Sequence, residues 1–155
     1  MQENDLLVTV ISVYNGFAPV QVVPPTGWNL LLEQPTGADV STLSFYKFAS
    51  ASEPTSYKFD HYNQAKTSIF DAQSTAVMGV YRGVDTQNPF QGIAGSTNSG
   101  FTSDSVNYNG DGMLLMATST HIQGTNWTAP AGWTSAGYIS GCLLYTSDAA
   151  DDSRS

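Results

Sequence analysis

The sequence predicts an all-β fold, an antiparallel β-sandwich of about eight strands. Three observations lead there. Segments rich in Val, Ile, Thr, Tyr and Phe alternate with clusters of Gly, Pro, Asn and Ser, while helical periodicity is weak throughout. Only 12% of the 155 residues are charged, so the polar surface is built from hydroxyls and amides. Finally, one block occurs twice. Asp5-Leu6-Leu7-Val8-Thr9-Val10 runs on to Pro25-Thr26-Gly27-Trp28, and Met113-Leu114-Leu115-Met116-Ala117-Thr118 runs on to Pro130-Ala131-Gly132-Trp133. An apolar strand, a polar loop and Pro-x-Gly-Trp in the same order mark a duplicated β-element.

The elements follow in chain order. Leu7, Thr9, Ile11 and Val13 share one face of the first strand, and Leu6, Val8, Val10 and Ser12 share the other. A strand apolar on both faces belongs in the middle of a sheet. Trp28–Glu33 is a second strand, and Leu43–Ala49 a third. Ser52-Glu53-Pro54-Thr55 is a turn, because Pro fixes its own φ and biases Glu53 away from helix. Tyr57 and Phe59 alternate with Ser56 and Lys58 in a fourth strand, and Gln73–Gly83 supplies a fifth. Thr102–Val106 and Gly112–Thr120 form a hairpin around Asn109-Gly110-Asp111-Gly112, and Trp133–Ser140 is a further strand. Val84–Gly100 is a long polar loop, a length often associated with function.

Both ends carry expectations of their own. In the second copy a strand and a turn precede the Leu-Leu segment, whereas only Met1–Asn4 precede Asp5. The first copy is therefore expected to lack a partner strand, and the chain is read as a fragment at both ends. Cys142-Leu143-Leu144-Tyr145-Thr146-Ser147-Asp148-Ala149-Ala150-Asp151 resembles the in-frame translation of a sequencing-library transposon end. That resemblance implies one domain over residues 1–141 and a non-native tail over 142–155. The alternative reading is a short strand, Leu143–Tyr145, followed by an acidic tail. Cys142 is the sole cysteine, so the tail reading also removes any thiol chemistry from the protein.

Composition excludes several classes. Five Lys and Arg under a formal net charge of −8 cannot neutralise a phosphate track, which argues against nucleic acid as a partner. No apolar run reaches ~18 residues, so no membrane-spanning helix is expected. No Gly-x-Ser-x-Gly elbow, phosphate loop or His-Glu-x-x-His occurs. Paired carboxylates for glycoside cleavage stay open among Glu33, Glu53, Asp60 and Asp85, whose positions near turns suit capping and solubility. The reading is of a protein without enzymatic activity, cofactor or metal.

The remaining motifs each have a structural and a functional reading. In Pro-x-Gly-Trp, Gly27 and Gly132 suit the third position of a type II turn, after which Trp28 and Trp133 drop into the core, with Pro25 and Pro130 fixing the entry. The functional alternative makes the two Trp an exposed platform for a sugar ring. Trp127 has no counterpart in the first copy and lies in the polar run Gln123-Gly124-Thr125-Asn126. Trp127, Asn126, Tyr108 and the 85–100 loop are therefore the candidate ligand contacts. Asn107–Gly112 is weighed as a calcium loop and set aside for a hairpin turn, because position one is Asn107 and position twelve Thr118. Asp60, His61 and Asp71 as a metal or acid–base set, and His121, read better as loop residues. Asn126-Trp127-Thr128 also matches a glycosylation sequon.

Taken together, Asp5-Leu6-Leu7, Pro24-Pro25-Thr26-Gly27-Trp28, Phe45-Tyr46-Lys47, Ser52–Phe59 and Tyr81-Arg82-Gly83-Val84-Asp85 resemble a module of phage virion proteins of the tail-fibre or decoration type, and domains of bacterial surface proteins. The resemblance implies a jelly-roll-like β-sandwich that displays or binds at a virion or cell surface. Its partners would be a surface glycan or host-cell surface and other virion proteins. A trimer suits a fibre, although no coiled-coil heptads support one. The alternatives are a purely structural decoration or spacer domain and an accessory carbohydrate-binding domain of a polysaccharide-degrading enzyme.

Overall fold

Leu6–Tyr14 has the composition of a doubly covered strand, and the fold is arranged around it. In the computed structural model the residues described are 1–14, 20–36, 40–63, 73–96, 106, 112–119, 128, 131–139 and 142–148. Among them are nine β-strands and no helix. They are β1 (Leu6–Tyr14), β2 (Val20–Val23), β3 (Asn29–Thr36), β4 (Val40–Phe48), β5 (Asp60–Asn63), β6 (Gln73–Tyr81), β7 (Met113–Ser119), β8 (Thr134–Ile139) and β9 (Cys142–Asp148). All pairings are antiparallel. They form a four-stranded sheet ordered β3-β4-β1-β6, a two-stranded sheet β2-β5 and a three-stranded sheet β7-β9-β8.

β1 pairs along its whole length on both edges, from Leu6↔Phe48 to Tyr14↔Val40 with β4 and from Leu6↔Tyr81 to Tyr14↔Gln73 with β6. The slot beside β1 that the sequence assigns to a leading strand is thus filled by β6. Directly opposite residues share a face, so Leu7, Ile11, Leu43 and Phe45 project together. That face meets Val20 and Val22 of β2, together with Trp28 and Ala49, in one buried cluster flanked by Tyr57 and Phe59. The opposite face buries Val10 against Val77, and β8 and β9 make contact with β6. Thr9, on the Leu7 and Ile11 face, is only 1% exposed and is tolerated because its Oγ1 donates to the Val77 carbonyl at 3.2 Å.

Past the start of β1 the same pairing continues as ion pair and turn. Asp5, 2% exposed, accepts two hydrogen bonds from the Arg82 guanidinium, Nε to Oδ1 at 3.0 Å and Nη2 to Oδ2 at 3.2 Å. The Ala49 amide donates to the Asp5 carbonyl at 2.8 Å, and the Asn4 amide to the Ala49 carbonyl at 2.9 Å. The ends of β1, β4 and β6 are therefore fastened at one place.

The Pro-x-Gly-Trp turn has the expected backbone. The Trp28 amide donates to the Pro25 carbonyl at 3.3 Å, and Gly27 sits at φ +90°, as a type II turn requires. Gly132 adopts φ +80° before Trp133. In both copies the strand after Trp carries a bulge at the same offset, between Leu30 and Leu32 and between Ser135 and Gly137. Strand order repeats as well, since β3-β4-β1 and β8-β9-β7 are the same arrangement. β9 runs through the segment that resembles a translated adapter and forms the middle of its sheet, longer than the Leu143–Tyr145 alternative.

Two strand assignments need correction. Tyr57 and Phe59 alternate as expected and both touch the core, but residues 53–59 form no ladder; the strand is β5, beginning at Asp60. Glu53 and Pro54 have already bent the chain away from β4, so this segment reaches the core through side chains alone. β2 was not expected, because Val20-Gln21-Val22-Val23 is short and abuts Pro24. Thr102–Ser105 lie outside the described residues, as do the turn residues Asn107–Asp111.

Trp28→Ala is expected to cost about 3–5 kcal/mol, the usual range for emptying a buried aromatic site. Gly27→Ala meets no steric neighbour closer than the Lys47 Nζ at 3.9 Å, so its cost is backbone strain alone, about 1–2 kcal/mol. Chemical denaturation of the three proteins should rank them in that order.

Candidate functional site

The ring contacts among the described aromatic residues fall into two groups. The first is internal. Trp28, 6% exposed, meets Tyr57 edge-on at 5.0 Å between centroids and Phe59 at 5.3 Å, and Phe59 lies 5.5 Å from Phe45. The Trp28 Nε1 is buried without a hydrogen-bond partner, so this indole is held by packing alone. Trp133, at the matching turn, is half-buried.

The rim of this cluster holds a buried ion pair. Lys47 Nζ bonds Glu53 Oε1, and the two side chains are 13% and 6% exposed. Glu53 Oε2 also accepts from the Ser50 amide at 2.6 Å and the Ser50 hydroxyl at 3.2 Å, closing the turn after β4. The Lys47 ammonium stands 5.6 Å from the Tyr57 ring centroid. The Lys47 bond, aided by the Ser50 amide, holds the Glu53 carboxyl down at about 2 against the opposing effect of burial. Burial, reinforced by Glu53, pushes the Tyr57 hydroxyl up to about 12. Every oxygen of Glu53 is engaged, so the group acts as a clamp on the turn rather than as a proton-transfer site.

The second group is at the surface. Register places Tyr46 opposite Val8 on one side and Asn29 on the other, on the face away from Trp28. Phe90 reaches back from the loop after β6 and meets the Tyr46 ring at 4.9 Å, nearly perpendicular. Both rings are half-buried, and Asn29 is exposed. The loop makes a local turn before this contact and packs against β3 after it. Asp85 Oδ1 accepts from the Gln87 amide at 2.9 Å, and Gly95 lies so close to Leu32 and Gln34 that a Cβ there would stand 2.8 Å and 2.7 Å from them. Asp85, Thr86, Gln87, Asn88 and Ile93 remain exposed.

Of the sequence-predicted ligand contacts, Trp127, Asn126 and Tyr108 lie outside the described residues, as do Pro130, His121, Asp71 and positions 97–100 of the loop. Loop positions 85–96 are placed as above. Asp60 accepts from the exposed Lys58 at 2.6 Å, and burial lowers the pKa of His61. Glu33 is exposed on β3. No group of three or more His, Cys, Asp or Glu that could hold a metal ion occurs among the described residues. No local sequence pattern brings Tyr46 and Phe90 together, although strand alternation alone separates Tyr46 from the buried Phe45.

Arg82, then the Gln2 amide, also lowers the Asp5 pKa. Carboxyls depressed on folding contribute stability that is fully present above the unfolded carboxyl range, about pH 4–5, and lost as pH falls toward the folded values. Urea midpoints should therefore decline from pH 6 to pH 3, and Glu53→Gln should be less stable at pH 6 yet show a flatter decline.

Comparison of the chain with protein-family models, with curated proteins and with solved structures finds no match in any of the three.

Proposed function

We propose that this chain is a non-enzymatic module displayed at a phage virion or bacterial surface, where it adheres to a surface glycan. In this reading the antiparallel sheets pack as a jelly-roll-like sandwich, and the module works beside other virion proteins. The observation that carries the reading is the division of the aromatic residues. Trp28, Phe45, Tyr57 and Phe59 build the core, whereas the loop after β6 rests on Tyr46 through Phe90 and presents the uncharged Thr86, Gln87 and Asn88 to solvent. A surface poor in cations and rich in amides suits a neutral, hydroxyl-rich partner better than a phosphate or a lipid headgroup.

A second reading, a structural decoration or spacer domain, is favoured by the burial of Trp28, which removes the alternative of an exposed sugar platform at that residue. A glycan array probed with the intact chain separates the two. Binding is expected, weakened about tenfold by Trp127→Ala, the scale of one lost aromatic contact. Absence of binding by the intact chain would leave the spacer reading standing and sink adhesion.

A further inference from the structure

Resting on the adhesion reading, we infer that the Tyr46–Phe90 pair, with Asn29 beside Tyr46, is a binding site for an uncharged saccharide. Four features converge. The two rings are half-buried and set at 78°, so part of each remains open to a ligand that stacks or abuts. Asn29 stands directly across the β3–β4 ladder from Tyr46, which puts an exposed amide on the same face as the ring. Among the described residues no hydrogen bond engages the Tyr46 hydroxyl, the Asn29 amide or the Asn88 amide, and the Tyr46 hydroxyl is not among the buried, unpaired polar atoms. The Asn29 side chain is exposed, so binding there exchanges one set of hydrogen bonds for another at little desolvation cost.

The fourth feature is preorganisation. Phe90 belongs to a loop, but the Asp85 cap precedes it and the close Gly95 contact with Leu32 and Gln34 follows it. Less ordering entropy then remains to be lost when a ligand arrives than for a loop without these contacts. Charge decides the class of sugar. Asp85 is the one ionisable residue in the 84–96 loop, and the chain carries a net charge of −8. Carboxylated or sulfated sugars are therefore repelled, and neutral hexoses match the donors and acceptors on offer.

The test uses the intact chain on an array carrying neutral, sialylated and sulfated glycans, with three proteins: wild type, Trp127→Ala, and the double variant Asn29→Ala/Tyr46→Phe. The double variant removes only an exposed amide and a hydroxyl, and its unchanged thermal melting verifies that it folds. Wild type is expected to bind neutral glycans alone, and the double variant about tenfold more weakly. A double variant that binds like wild type while Trp127→Ala is impaired would overturn this site and leave adhesion intact. Selective binding of acidic glycans would overturn the inferred ligand class. No binding by wild type would overturn both the site and the adhesion reading.

Discussion

The constraint on which the rest depends is that β1 is enclosed in all four directions. Its edges are hydrogen bonded to β4 and β6, and its faces are covered by different parts of the chain. An isolated strand cannot satisfy its backbone polar groups in an apolar setting, so burying β1 obliges both ladders to run its full length. The same requirement explains its two polar intrusions. Thr9 bonds a carbonyl of the neighbouring strand, and Asp5, just before the strand, meets the Arg82 guanidinium where the β1–β6 register extends by one step. Each polar group is tolerated because the adjacent strand supplies a partner at that position.

Enclosure of β1 also shows why parts of the fold were legible in the sequence and others were not. The central strand was readable because hydrophobicity on both faces is a local pattern that only one sheet position satisfies. The Pro-x-Gly-Trp turn was readable because a positive φ before a large aromatic is written in residue type, and Gly27 adopts it. β2 was not, since four residues beside Pro24 have too little periodicity to register. The segment before β5 misled for a different reason. Tyr57 and Phe59 have strand-like alternation because their side chains must reach one cluster, and alternation reports side-chain direction rather than hydrogen bonding. At the surface, Asn29, Tyr46 and Phe90 are far apart in sequence and come together only through the β3–β4 register and the return of a loop. No local pattern announces such a meeting.

The repeated block is better understood as a repeat of backbone than of surface. Turn, bulge offset and strand order recur, yet the register does not. Taking the bulges as the common reference, Leu30 pairs Phe45 and Ser135 pairs Tyr145. On that scale Leu6 pairs Phe48, whereas its counterpart Leu114 pairs Ser147, one step short of Asp148. A slip of one residue exchanges the two faces of a strand relative to its neighbour. Residues that match in sequence between β1 and β7 are thus presented to opposite sides of their sheets. The β3–β4 register does recur in β8–β9, but Thr134 and Thr146 stand there where Asn29 and Tyr46 stand in the first copy. Tyr46 and Phe90 lie on the first half and draw on a loop that follows β6, a strand belonging to neither set of three. The asymmetry that the repeat cannot supply comes from β6 and its loop, and that is where a specific surface can be built.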